Sequence, residues 1–216
     1  MRRFSEHAGA YPAAVATLRV AIFLFDGVDE LDAVGPYEVL ANGERAGAPI
    51  DVRLVTLEER DDVVGSHGLR MRPDGVWDGE ADLVIVPGGG WNDRGPEGAW
   101  AEAQRGDLPR ALAAHRAAGG HLAAVCTGGM LLAAAGVVEG RPVTTHARAK
   151  DELREAGGDV RHDRVVDHGD LLTAGGVTSG SDLALWILER EFGVGVADAV
   201  SREMEYERVA AVRPAD

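Results

Sequence analysis

The chain has a single cysteine, Cys126, in 216 residues. One thiol forms no internal disulfide, which suits a reducing compartment, and no second cysteine is there to complete a zinc site. Its seven histidines (His7, His67, His115, His121, His146, His162 and His168) show no metal-ligand spacing such as the helical H-x-x-x-H pair, so no metal is expected. Long apolar runs are missing too. The longest, such as Leu131–Val138, fall far short of a bilayer span. The N-terminal stretch starts with basic residues, but Glu6, His7 and Pro12 break it and it lacks the apolar core of a signal peptide. Residues 1–17 are therefore expected to form a flexible tail, and the protein to be cytoplasmic. No Lys/Arg stripe offsets a formal net charge of −14, which excludes direct nucleic-acid binding as the expected role. Repeats, linkers and low-complexity segments are also absent. One domain over residues 18–212 is expected, leaving no room for an ordinary helix–turn–helix module.

Glycine is abundant at 29 residues, clustered at the ends of apolar runs, in a chain that is 45% hydrophobic. That pattern suits an α/β protein with tight functional turns. Arg19–Phe25, Asp51–Leu57, Asp82–Val86 and His121–Val125 read as strands, several uninterrupted as strands buried on both faces should be. Val63–Met71 reads as a small hairpin around Gly65-Ser66. A second hairpin is expected from Arg164–Val166 and Leu171–Thr173 around Asp167-His168-Gly169-Asp170. Helices are expected over Asp32–Ala46 with Pro36 in the first turn, Leu108–Ala118, Met130–Ala135, Ala147–Ala156, Ser179–Phe192 and Val196–Glu207. Repeated βα units predict a mostly parallel sheet with helices on both faces.

Ligands in such folds bind beyond the carboxyl ends of the strands, and three loops qualify. One holds Asp26, Asp29, Glu30 and Asp32, one is Gly88–Gly90, and one carries Cys126. The strand–turn–helix pattern around Cys126 resembles a nucleophile elbow, and a helix N-terminus there favours a thiolate. A small hydrophobe in the core is the competing reading of the same cysteine. Any of the four acidic residues can serve the sulfur, although Asp32 is placed to cap the helix beginning near Val34. Gly88–Gly90 and the Thr127 N–H offer backbone donors for an anion or oxyanion, or merely a tight turn. His146 is the histidine expected nearest the active edge, or else a backbone-bonded helix start. His115, His162 and His168 read as surface residues. The four tryptophans read as packing residues, with Trp91 able to wall a pocket.

The blocks FLFDGVDELDAVGPYEVL (Phe23–Leu40), VIVPGGG (Val84–Gly90), AVCTGGMLLAAAGVVEGRPVTTH (Ala124–His146) and RVVDHGDLLTAGGVTSGSDLAL (Arg164–Leu185) stand in one order and spacing. Together they resemble the ThiJ/PfpI superfamily, the class I glutamine-amidotransferase-like group, and within it the isonitrile hydratase branch. The resemblance implies a flavodoxin-like three-layer sandwich and a homodimer. It also implies Cys126 as the nucleophile, Asp32 as the carboxylic acid facing its sulfur, and Thr127, Gly89, Gly90 and Val177 against a small-molecule substrate. No cofactor is implied. The activity implied is hydration of an isonitrile to an N-substituted formamide. Protease-like members carry histidine after the cysteine where this chain has Thr127. Two departures stand out: Ala147 replaces a frequent tryptophan after TTH, and the end beyond Glu205-Tyr206 lacks a proline-rich segment. The same blocks occur in the ligand-sensing domain of AraC-type regulators, so a sensor of small molecules or of cysteine oxidation is the alternative to an enzyme, alongside another cysteine hydrolase or deglycase of the superfamily.

Overall fold

Residues 16–209 and 212–214 are described by the computed structural model; residues 1–15, which hold most of the expected tail, lie outside the described residues. The innermost strand segments form where the sequence is apolar, as in Val20–Phe23 and Leu83–Val86. β1 (Leu18–Phe23) pairs in parallel with β2 (Ile50–Thr56) on one side and with β6 (Leu83–Val86) on the other. β6 then pairs in parallel with β7 (His121–Ala124), and β7 with β11 (Leu171–Ala174). All four residues of β6 and of β11 are buried, as strands covered on both faces require. The short β5 (Gly75–Val76) extends the β2 edge in parallel. At the opposite edge β10 (Val165–Asp167) returns antiparallel to β11, with β12 (Arg213–Pro214) beside it. The sheet order is β12-β10-β11-β7-β6-β1-β2-β5. Two small ladders lie apart from it: β3 (Val63–Val64) with β4 (Arg70–Met71), which is the expected hairpin, and β8 (Pro142–Val143) with β9 (Asp159–Val160).

Two helical layers sandwich the sheet. One contains α1 (Glu30–Arg45), α6 (Ser179–Phe192) and α7 (Val194–Glu203). The other contains α2 (Ala99–Arg105), α3 (Asp107–Ala117), α4 (Gly128–Ala134) and α5 (Lys150–Glu155). This is the expected flavodoxin-like α/β sandwich. Close packing of α1 on α6 depends on small residues: a Cβ on Gly43 would lie 2.5 Å from Leu188 Cδ2. Among the described residues no helix is long and apolar enough to cross a membrane.

Several boundaries differ from expectation. α1 begins at Glu30, capped by Asp29, so Asp32 lies inside the first turn and Pro36 in the helix interior. α7 starts at Val194 rather than Val196 and ends at Glu203. α2 had no counterpart in the sequence reading. The chain passes from β1 to β2 on one side of the sheet and later from β1's other side to β6, which makes the β1/β6 boundary the topological switch point. The loops after β1 and β6 touch there, the Asp29 N–H donating to Gly88 O at 2.9 Å.

Candidate active site

Cys126 follows β7 with φ of +55°, a left-handed conformation that only glycine adopts freely. Neighbouring strands hold it there. The Val125 N–H donates to Val86 O at 3.0 Å, the Cys126 N–H to Gly175 O at 2.8 Å, and Thr145 Oγ1 to Cys126 O at 2.7 Å. The turn into α4 also needs Gly128, where a Cβ would sit 2.0 Å from Val86 O. A strained, over-determined residue between a buried strand and a helix is the geometry of a nucleophile elbow. The sulfur-bearing residue is 6% exposed and faces a cavity of about 210 Å³. Larger cavities, of about 280 and 360 Å³, open around the amino ends of the strands near Arg19 and Leu18, away from the cysteine.

Asp32 points inward from the first turn of α1 and is fully buried. The cap expected of it is supplied by Asp29, whose Oδ1 accepts from the Leu31 N–H at 3.2 Å. Asp32 Oδ2 accepts from the Gly88 N–H at 2.9 Å, while Oδ1 is buried with no hydrogen-bond partner. Burial, and secondarily the charge of Asp29, pushes the Asp32 carboxyl up to about 8. Burial also pushes the Cys126 thiol up to about 12, and the nearby Asp32 charge adds to this. Hydrogen bonds to the sulfur from the backbone of Val177 and Thr127 oppose the shift without reversing it. Desolvation thus works against the thiolate expected from the helix N-terminus, and the sulfur and the Asp32 carboxyl titrate as a coupled pair.

The expected substrate contacts meet at this cavity: Cys126, Thr127, Gly89, Gly90 and Val177 all line it. Val177 has φ of +35°, a strained backbone that turns its N–H toward the sulfur. The glycine run is more committed than its sequence implied. The Gly88 N–H is used by Asp32, and the Gly89 N–H donates to Thr127 Oγ1 at 3.0 Å, which leaves the Thr127 hydroxyl proton available to a ligand. Asp32 does not line the cavity; it lies behind the sulfur.

Trp91 is 6% exposed and walls the cavity as anticipated, with its indole N–H on Glu152 Oε2 at 3.1 Å. His146 satisfies both of its readings. It lines the cavity, and its Nδ1 accepts from the Arg148 N–H at 3.2 Å to start a 3₁₀ turn over Ala147–Ala149. That bond leaves the ring proton on Nε2, and burial together with the Arg148 charge lowers the imidazole pKa. Asp29, one of the four acidic candidates, lines the cavity; three further lining residues, Asn92, Asp93 and Arg148, were not singled out from the sequence. His115 is corrected: it is buried rather than at the surface, bonded to His121 O at 3.1 Å and packed edge-on against Trp77.

At the cavity's edge, side-chain atoms of Asp29, Glu30 and His67 lie within 4.8 Å of one another, a cluster that could hold a metal ion. Glu30 is already engaged there. It accepts from the His67 N–H at 2.7 Å and the Leu69 N–H at 3.2 Å, and pairs with His67 Nδ1 at 2.6 Å.

Comparison with known proteins agrees with this arrangement. Residues 18–190 match the model of the DJ-1/PfpI family. An isonitrile hydratase of Pseudomonas putida is 35% identical over 191 residues, covering 88% of this chain and 78% of that protein. Protein DJ-1alpha of Drosophila melanogaster is 29% identical over 188 residues (85% and 82%), and a deglycase of Pyrococcus abyssi is 26% identical over 176 residues (80% and 96%). In fold, a ThiJ/PfpI family protein of Pseudomonas syringae superposes with a TM-score of 0.82 at 22% identity, covering 97% of this chain and 83% of that one. An AraC family transcriptional regulator of Pseudomonas putida superposes with a TM-score of 0.73 at 21% identity (87% and 99%). With its elbow cysteine, parallel sheet and matched sequence, the chain belongs to the DJ-1/PfpI family.

Proposed function

We propose that the protein is an isonitrile hydratase-like lyase in which Cys126 is the nucleophile and Asp32 the general acid and base. The observation that carries this reading is the fully buried carboxyl of Asp32, set against a sulfur on a strained elbow that opens into a small cavity. The relative named isonitrile hydratase supports it. In the reaction, the sulfur bonds to the terminal carbon of R–N≡C. One of the pair's two protons passes to that carbon, and the carboxyl retains the other. The product is a thioimidate, R–N=CH–S–Cys126. Water then adds to the same carbon, with Asp32 taking its proton and returning one to nitrogen. Collapse of R–NH–CH(OH)–S–Cys126 breaks the carbon–sulfur bond, returns a proton to sulfur and releases R–NH–CHO. Because the sulfur proton is transferred within the pair, no free thiolate need accumulate. Thr127 and the Val177 N–H orient the ligand, with Gly89 and Gly90 shaping the wall beside them.

The alternatives differ in what they require. A sensor of oxidation or of small molecules needs the same pocket but no turnover, and a deglycase needs attack on a carbonyl adduct. The homodimer implied by the family resemblance and the cytoplasmic location expected from the lone cysteine complete the reading. Purified protein incubated with an alkyl or aryl isonitrile, with formamide followed by chromatography, tests it. Turnover is expected in the wild type and lost in Cys126→Ala and Asp32→Asn. Full rate in Cys126→Ala refutes covalent catalysis.

A further inference from the structure

Two non-glycine residues lining the cysteine cavity have positive φ: Cys126 itself and Val177, at +35°. For a β-branched residue this backbone is strained, and it persists only where its surroundings hold it. One residue grips both flanks of Val177. Arg164, immediately before β10, accepts at its backbone oxygen from the Gly175 N–H at 2.9 Å. Gly175 O in turn accepts from the Cys126 N–H at 2.8 Å, so this flank joins the nucleophile directly. On the other flank the Arg164 guanidinium donates from Nη2 to Thr178 Oγ1 at 2.9 Å.

Thr178 stands at the N-cap of α6, where a threonine hydroxyl ordinarily accepts from an N–H of the first turn. Here it caps nothing and accepts from Arg164 instead. The guanidinium is itself fixed from behind. Its Nε donates to Asp182 Oδ2 at 2.5 Å. Asp182 is 2% exposed in the first turn of α6, and it also accepts from the Tyr206 hydroxyl at 2.8 Å and the Val209 N–H at 3.3 Å. A planar fork held on a buried carboxylate has little freedom, so it sets where the Thr178 hydroxyl sits. Arg164, Thr178 and Asp182 all lie outside the cavity lining.

We infer that Arg164 is a positioning residue for the cysteine site, clamping residues 175 and 178 so that Val177 keeps its strained backbone beside the Cys126 sulfur. The clamp reaches the cysteine in two ways. One is the bond from the Cys126 N–H to Gly175 O, and the other is the Val177 backbone, whose hydrogen bond to the sulfur favours its charged form. It serves any chemistry at that sulfur and so stands apart from the hydratase reading.

Alkylation of Cys126 by iodoacetamide, followed by mass spectrometry, reads the clamp without turnover. The sulfur gives its proton to solvent and displaces iodide from the methylene carbon, and the lone cysteine makes the adduct unambiguous. Thr178→Val removes one hydroxyl and leaves the Arg164–Asp182 pair in place. The alkylation rate is expected to fall about fivefold in Thr178→Val and to recover in Thr178→Ser. Arg164→Lys keeps a cation beside Asp182 but lacks the fork that holds Asp182 and Thr178 together. It should show the same fall, and adding Thr178→Val to it should change nothing further. Should Thr178→Val fail to fold, Arg164→Lys alone carries the test. A rate that rises or stays within about twofold of wild type in either folded variant overturns the inference. So does a Thr178→Ser no faster than Thr178→Val, or a wild-type sulfur that iodoacetamide does not reach. No formamide from any isonitrile, with the alkylation pattern intact, overturns the hydratase reading alone.

Discussion

Replacing Asp32 by asparagine should stabilise the folded protein at neutral pH while removing its activity. The carboxyl titrates at about 8 in the fold, against 3.8 for an ordinary aspartate. Between those values the folded state holds a proton that the unfolded state has lost. Stability therefore falls as pH rises through this window, by 1.36 kcal/mol per unit. At pH 7 the accumulated cost is on the order of 4 kcal/mol, a large share of the total for a typical domain. An amide has no such proton to keep, and its oxygen can go on accepting from the Gly88 N–H. Urea unfolding of both proteins from pH 4 to pH 8 isolates the effect, because every other titrating group is common to both. The Asp32→Asn advantage should be near zero at pH 4 and grow to a few kcal/mol at pH 7, or roughly 10 °C in Tm. A stability difference that does not change with pH, or a variant less stable at pH 7, would refute the assignment of a raised carboxyl pKa to burial at this site.

Other outcomes follow from the same geometry. Hydration should decline as pH rises through about 8, where Asp32 loses the proton it donates, and a flat alkaline limb in kcat/KM would contradict that role. Cys126→Gly should be about 1 kcal/mol more stable than Cys126→Ala, the reverse of the usual order, because φ at this position is +55°; thermal melts of the two variants decide it. Glu30 is buried, but its bonds to His67 and to the His67 and Leu69 N–H groups outweigh that burial and hold its carboxyl down at about 2. With folded pKa below unfolded, its stabilisation is present above about 4.5 and lost as pH falls toward 2. Glu30→Gln should then cost about 2 kcal/mol at pH 7, less than the full shift because His67 is open to solvent, and little at pH 2; equal costs at both pH values would count against the pairing.

The sheet was legible because burial on both faces leaves its mark as uninterrupted apolar residues in Val20–Phe23 of β1, in β6, and in Leu122–Ala124 of β7. α6 was legible to the residue, being long and bounded by Gly176 and Gly193. α2 was not. Its seven residues follow Gly98, which offers no capping side chain, and it is held by packing against α3 and α4 rather than by a local signal. Among the acidic residues after β1, spacing alone put Asp32 at the cap. Asp29 takes that position because α1 starts two residues before Asp32, which turns the Asp32 side chain inward. The family resemblance named the carboxyl that lies beside the sulfur in the fold, where local chemistry left four candidates open. The upward pull of burial on the Cys126 thiol was out of reach for a different reason: desolvation is a property of the assembled core, and no local pattern carries it.

Titration of the Cys126 thiolate by its ultraviolet absorbance, with Cys126→Ala as the blank, tests most directly whether this sulfur and the Asp32 carboxyl share one buried environment. The account predicts no thiolate signal at neutral pH, a midpoint well above that of a free cysteine, and a lower midpoint in Asp32→Asn, where the neighbouring charge is gone. A thiolate present below pH 7, or a midpoint indifferent to residue 32, would contradict it.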